Sequence, residues 1–523
     1  MNPRIRSFIA YFLVSAATSG LCLWQLHGSY GFNLADEGFF WYGAKQTARG
    51  EIPGLDFMAY EPGRYYWAAA LFNALGNDSN IMARIASVLF GSLLYGAITT
   101  WLIEQRKDFG RAKAAFAIVF LPSALSIWSF PYYRITDTVA PCLSFLLCYQ
   151  QYEDRRKKTS LITGIWIGVL MFFGRNHALY ALLGIAIVLM HLHLQERDIR
   201  ESISRIRLGA MGIAAGIAPF YIISLAKPEY PATIIGQWIA ILKTGKTNLS
   251  LPWPLPWRTI TSRMPLSEAD GHLLIGILFM SVFAIGIAGT IAIAIASTRG
   301  EQVYPELIAM TAATAGYLHI CIERADMEHI SPALMPALMG IFLWGMRGKK
   351  IMTLACTLSI LIPSVRVAAR QQSAYHCIRQ TIQCKTLTID RHTKVQTSFE
   401  TAQLTESALE AIRGSRFLAA PAYPSLYAMT ATRSPIWDIY AAWPRTQEEQ
   451  VKAIAAIQAV PIDVILINKD AFGKDASFEH NNPLLYSYLT RTYKECKTLT
   501  GSNVRLLRKR HVVGCSSQNE NRQ

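Results

Sequence analysis

Two groups of residues in this chain could do chemistry. The first is an acidic pair, Asp36-Glu37, which follows closely on a long apolar run at residues 8–27. Carboxylates at the end of a membrane helix are either interface markers or functional groups able to exchange protons. The same stretch continues with Arg49-Gly-Glu-Ile-Pro-Gly-Leu-Asp56 and Glu61-Pro-Gly-Arg64-Tyr-Tyr-Trp, which add Asp56 and Glu61 as polar candidates. The second group is cationic. Arg134, Arg175 and Arg324 each sit in an aromatic or polar knot: Tyr132-Tyr-Arg134, Gly174-Arg-Asn-His177 and Arg324-Ala-Asp326-Met-Glu-His329. The planar guanidinium fork matches phosphate oxygens, and the competing role is snorkelling to lipid headgroups. Asp326, Glu328 and His329 are also capable of ligating a divalent ion. Their loose spacing favours orienting Arg324 or substrate hydroxyls, so no metal or other cofactor is expected.

The elements that must position these residues are membrane helices. Only 16% of the 523 residues are charged, against roughly 25% in soluble domains. Eleven intervals are apolar and long enough to read as spans: 8–27, 80–103, 112–128, 132–150, 160–174, 178–194, 207–226, 272–297, 304–321, 331–346 and 351–368. The first is read as a retained helix rather than a signal peptide. The net charge is +16, and its basic residues cluster at Arg106–Lys113, Arg155–Lys158, Arg197–Arg207 and Arg347–Lys350, between the spans. That distribution fits cytoplasmic loops and argues against a nucleic-acid partner. It puts the N-terminus in the cytoplasm. An odd number of crossings then puts the chain after residue 370 outside, and Arg134, Arg175 and Arg324 at outer helix ends.

The expected division is a membrane part, 1–370, with long outer loops at 28–79 and 227–271, and a soluble α/β tail, 371–523. Helix-like stretches at Glu37–Arg49 and Arg64–Leu75 suggest segments lying along the membrane surface. In the tail, Arg416–Ala420, Val464–Asn468 and Val504–Leu507 read as strands, and 402–413, 446–459 and 483–493 as helices. Of the nine cysteines, Cys377 with Cys384 and Cys496 with Cys515 could pair in an oxidising compartment.

An Asp-Glu pair after the first helix, then Gly-x-x-Pro-x-x-Asp, then a Pro–aromatic segment resembles the dolichyl-phosphate-mannose–protein mannosyltransferases. The lipid A aminoarabinose transferases belong to the same GT-C group. Arg324-Ala-Asp326-Met-Glu-His329 looks like the Arg-x-Asp-x-x-His segment of bacterial members. Ala420-Pro-Ala-Tyr-Pro-Ser-Leu-Tyr427 followed by Ser434-Pro435 is similar to their soluble C-terminal domain. The departure is Gly63-Arg64, where the group has a second Pro and an apolar residue. The resemblance implies a GT-C polytopic α-helical fold of about eleven spans with a small extracytoplasmic α/β domain, in a bacterial inner membrane. It implies transfer of a sugar from a polyprenyl-phosphate-linked donor to a glycan, lipid or protein acceptor. In that scheme Asp36 is the catalytic base and Glu37 the second acid. The three arginines hold the departing phosphate, and Asp56, Glu61, Asp326 and His329 contact substrate. A transporter or flippase for a lipid-linked or small solute is the alternative from another class, and a scaffold that has lost its chemistry is the third.

Overall fold

Long apolar runs satisfy their backbone hydrogen bonds within themselves, so these stretches are helical. The computed structural model describes residues 3–106, 109–244, 249, 251–260, 265–468, 470–473, 477–500 and 502–510. In chain order come α1 (Pro3–His27), α2 (Asp36–Ala48), α3 (Gly63–Leu75), α4 (Asn80–Gln105), α5 (Arg111–Ile127), α6 (Ile135–Glu153), α7 (Lys157–Phe173), α8 (Arg175–Glu196), α9 (Ile199–Gly216) and α10 (Ala218–Ala226). Then follow α11 (Tyr230–Thr244), α12 (Pro256–Ile260), α13 (Leu266–Phe283), α14 (Gly289–Thr298), α15 (Pro305–Gly316), α16 (Leu318–Glu323), α17 (Met327–Arg347) and α18 (Lys350–Gln371).

Each of the eleven intervals contains helix, but the helices are not equally fit to cross a bilayer. Among the described residues seven are long and apolar enough, and eight if α5 and α6, bent by 110° at their junction, are one broken span. The others are short. A 17-residue helix such as α7 extends about 26 Å, less than the ~30 Å hydrocarbon core.

The chain forms two compact units. The first comprises Met1–Gly28, Arg84–Pro228 and Ser250–Tyr375. Its centre is α6, α8, α15 and α17, buried through Phe145, Cys148, Ala181, Val188, Ala312, Ala313, Met335 and Met339. Ion pairs centred on buried Glu306 and Arg205 tie helices bordering the basic loops: Glu306 with Arg106 at 3.7 Å and with Arg347 at 3.1 Å, and Arg205 with Glu196 at 2.8 Å. Small residues let backbones approach in a membrane protein, where van der Waals contact drives helix association. A Cβ at Gly212 would stand 2.2 Å from the Leu161 carbonyl oxygen, and one at Gly216 2.2 Å from that of Ile165. Gly212→Leu should therefore force α7 and α9 apart and cost about 2–3 kcal/mol, read as a lowered Tm in detergent. Gly236→Leu, where nothing lies within 4 Å, should leave the Tm unchanged.

The second unit comprises Ser29–Ala83, Glu229–Leu249 and His376–Gln523. Residues 29–83 and 229–249, which the sequence division grouped with the membrane part, thus group with the tail. The α2 segment does not behave as a surface amphipath. It is buried continuously from Glu37 to Thr47, because Gly38 and Gly43 admit neighbours at contact distance. Their Cβ positions would lie 2.1 Å from Ser425 N and 2.4 Å from the Tyr65 ring.

In the tail a hairpin, β1 (Cys384–Asp390) and β2 (Thr393–Ser398), precedes a four-stranded sheet. The sheet strands are β3 (Phe417–Ala420), β4 (Val464–Ile467), β5 (Tyr493–Thr498) and β6 (Arg505–Lys509), in the order β3-β4-β6-β5. Only the β3–β4 pair is parallel. Leu418, Ile465, Ile467, Leu485, Leu489 and Leu507 form its core. The three expected strands and three expected helices of the tail are present at nearly the expected limits. The expected Cys377–Cys384 disulfide is formed. Cys515, the expected partner of Cys496, lies outside the described residues.

Candidate active site

In the first unit, breaks between helices place the candidate side chains. The Pro131 turn and a single 3₁₀ turn, Tyr132–Arg134, set Arg134 immediately before α6. Asp326 caps the start of α17, its Oδ1 accepting the His329 backbone N–H at 3.1 Å. Gly316 lets α15 approach α8 so closely that a Cβ there would be 2.2 Å from the Tyr180 carbonyl oxygen. That approach brings Tyr317 onto His177, ring centroids 5.7 Å apart and nearly parallel.

These positions create a continuous polar chain. Arg324 Nε donates to Asp326 Oδ2 at 2.6 Å, and Asp326 Oδ1 contacts His329 Nδ1 at 2.6 Å. His329 Nε2 contacts Arg134 Nη2 at 3.3 Å. Arg134 Nε donates to Asp137 Oδ2 at 3.0 Å, and Arg134 Nη1 to Glu328 Oε2 at 3.3 Å. Asp137 Oδ1 meets His177 Nε2 at 3.1 Å, and His177 Nδ1 meets the Tyr317 hydroxyl at 3.2 Å. Burial alone would raise the Asp326 carboxyl, but its bonds to His329 and Arg324 hold it down to about 2. It is a fixed anion at any physiological pH. Arg134 and Arg324 therefore belong to one network. Arg175, the first residue of α8 and two residues before His177, is half-buried.

Tyr317 was not among the candidates read from the sequence, His177 entered only as part of the Arg175 knot, and Asp137 reads there as a weaker candidate beside Asp56 and Glu61. A signal was available for two of them. Asp137 stands one turn after Arg134, and His177 two residues after Arg175. Nothing in the sequence links Tyr317 to either. Among the described residues no group of three or more His, Cys, Asp or Glu side chains is arranged to hold a metal ion.

The second unit holds the acidic pair at the start of α2. Asn33 fixes this turn, its Oδ1 accepting the backbone N–H groups of Ala35 at 2.8 Å and Asp36 at 3.0 Å. The two acids then diverge. Glu37 is 1% exposed, and its oxygens accept from Asn33 N at 3.2 Å and Asn80 Nδ2 at 2.7 Å. Asp36 is half-buried, and its Oδ1 accepts from the Tyr440 hydroxyl at 2.7 Å across 404 positions of sequence. Tyr440 stands among Phe39, Trp443 and Phe472, with ring centroids 5.3–5.9 Å away. Asp56 turns back on its own loop, where its carboxylate accepts the Ile52 N–H at 2.7 Å. Glu61 is half-buried, and Arg64 is buried beneath the Tyr60 ring at 5.3 Å.

Many long apolar helices with polar networks at their breaks make this an integral membrane protein. Its fold is similar to that of ArnT from Cupriavidus metallidurans, whose crystal structure is bound to undecaprenyl phosphate. The likeness covers 95% of this chain and 97% of that one, with a TM-score of 0.51 and 11% sequence identity. No family model and no curated protein sequence matches the chain.

Proposed function

We infer that the protein is a GT-C glycosyltransferase that moves a sugar from a polyprenyl-phosphate donor to a hydroxyl acceptor. The observation that carries this reading is the full-length likeness to a protein solved with undecaprenyl phosphate bound. The two polar networks fit the same chemistry. Sugar transfer from a phosphate-linked donor needs a base for the acceptor hydroxyl and cations for the departing phosphate. In this reading Asp36 takes the proton through Oδ2, while Tyr440 holds Oδ1. Glu37, with both oxygens engaged inside the protein, positions the turn. The attacking oxygen displaces the lipid phosphate and the anomeric centre inverts. Arg134, Arg175 and Arg324 receive the phosphate charge, and Asp326 and His329 organise the arginines. Glu61 remains a candidate for acceptor contact.

The reading also includes eleven crossings, with the basic loops cytoplasmic and the tail outside a bacterial inner membrane. That count takes α5, α6, α7 and α15 as one crossing each, four beyond the seven long apolar helices. Mass spectrometry of lipid copurifying with the protein tests the donor class. A polyprenyl phosphate or its glycoside is expected, and only bulk phospholipid would count against the reading.

Tyr440→Phe tests the arrangement around Asp36. It keeps the ring and removes one hydrogen bond to a carboxylate, an interaction of roughly 1.5–3 kcal/mol. Turnover should fall about tenfold or more with little change in donor binding.

A further inference from the structure

α5 ends where the chain bends by 110° into α6, and the last carbonyls of a helix have no partner within it. Here they find partners close by and in other helices. Leu125 O accepts the Ser129 hydroxyl at 2.8 Å, and Ser126 O accepts the Ser129 N–H at 3.1 Å. The next three carbonyls are capped from elsewhere. Gln372 Nε2, at the end of α18, donates to Ile127 O at 3.1 Å. The Ser331 hydroxyl of α17 donates to Trp128 O. His27 Nε2, at the end of α1, meets Ser129 O at 2.8 Å. A carbonyl only accepts, so the His27 ring proton sits on Nε2.

A hydroxyl hub spans the same break. The Tyr95 hydroxyl of α4 meets Ser129 Oγ at 2.6 Å and donates to Thr138 Oγ1 at 2.9 Å. Ser129 precedes the Tyr132–Arg134 turn, and Thr138 lies in the first turn of α6. One phenol thus holds both ends of the segment that carries Arg134. Ser331 stands two residues after His329, which contacts Arg134 Nη2, so its bond to Trp128 O also registers α17 against the break. Tyr95, Ser129, Thr138, Ser331 and Gln372 are all 0–1% exposed. A continuous α5–α6 helix would satisfy these carbonyls within itself. Polar side chains buried in a membrane protein are costly, and they are kept where they set a functional geometry.

We propose that His27, Tyr95, Ser331 and Gln372 are positioning residues. They clamp the α5–α6 break and so aim the Arg134 guanidinium at the donor phosphate. This rests on the phosphate role given to Arg134 above.

The test is the affinity of the full-length protein in nanodiscs for undecaprenyl phosphate, measured beside the Tm. Tyr95→Phe keeps the ring and removes the hub. It should weaken binding about tenfold, a coupling typical within one hydrogen-bonded network. His27→Leu removes the donor to Ser129 O and should act the same way. His27→Gln, whose amide can donate in place of the ring, should recover most of that loss. Gly212→Leu should lower the Tm and keep the wild-type affinity, which separates aim from stability. In an Arg134→Ala background Tyr95→Phe should cost no further affinity, because the clamp acts through the guanidinium. Weak binding by Arg134→Ala with normal binding by Tyr95→Phe would overturn the clamp and leave the glycosyltransferase reading standing. A loss in Tyr95→Phe that Gly212→Leu matches at equal Tm, or that persists in full without Arg134, would overturn it too. Normal binding by Arg134→Ala, or none by the wild type, would remove the phosphate role and the clamp together.

Discussion

Asp36→Asn should abolish sugar transfer while leaving expression and undecaprenyl phosphate binding close to wild type. The amide is isosteric and can still accept the Tyr440 hydroxyl on its oxygen, so the start of α2 should keep its geometry. What it loses is the ability to take a proton. General bases of this kind contribute about 100- to 10,000-fold, and the loss should appear in kcat with little change in KM or in lipid affinity. The effect should far exceed that of Tyr440→Phe, because the hydroxyl only orients the carboxylate. Turnover by Asp36→Asn within a few-fold of wild type would remove Asp36 from the mechanism. Loss of lipid binding together with turnover would mean that the substitution had damaged the protein rather than the chemistry.

Arg134→Ala should fail in a different way. Arg134, at the end of the 3₁₀ turn, joins α6 and α17 side chains through Asp137, Glu328 and His329. Its removal strips a cation from the phosphate cluster and leaves Asp137 with one buried partner fewer. Deleting one such electrostatic contact costs on the order of 100-fold in kcat, and here donor binding should weaken as well. Arg134→Lys retains the charge but cannot supply the fork that meets Asp137, His329 and phosphate together, so it should recover only part of the loss. Paired binding and turnover assays read both quantities. Normal lipid affinity in Arg134→Ala would take Arg134 out of the phosphate site.

Much of this architecture is legible in the sequence because apolar length and basic clustering are strong local signals. α1, α4, α8, α17 and α18 begin and end within a few residues of the intervals read for them. The three apolar strands of the tail are equally clear. Other strands are hidden for physical reasons. Tyr493–Thr498 carries Lys, Glu and Lys on a largely exposed edge strand, and so lacks an apolar run. The β1–β2 hairpin is built largely from threonine and charged residues. α2 reads as a surface segment because its glycines give no hint of how closely Ser425 and Tyr65 approach. The two clusters were partly visible. Asp36, Arg134 and Arg324 stand out by type and position. Tyr440, the partner of Asp36, and Tyr317, the partner of His177, could not be linked to them, since each pairing joins distant stretches of chain that only the fold brings together. Glu37 reads from the sequence as a second catalytic acid, and Asp56 and His329 as substrate contacts. Each makes hydrogen bonds within the protein that only the fold reveals.

The central claim is that a sugar leaves its polyprenyl phosphate and becomes bonded to another molecule. It is tested most directly with purified protein in proteoliposomes, supplied with a polyprenyl-phosphate donor labelled in the sugar and with a cell-envelope extract as acceptor source. The account predicts that the label leaves the lipid phosphate, free polyprenyl phosphate accumulates in equal amount, and the new glycosidic bond has the inverted configuration. Label that stays on the polyprenyl phosphate and only changes leaflet would contradict it and identify the protein as a flippase.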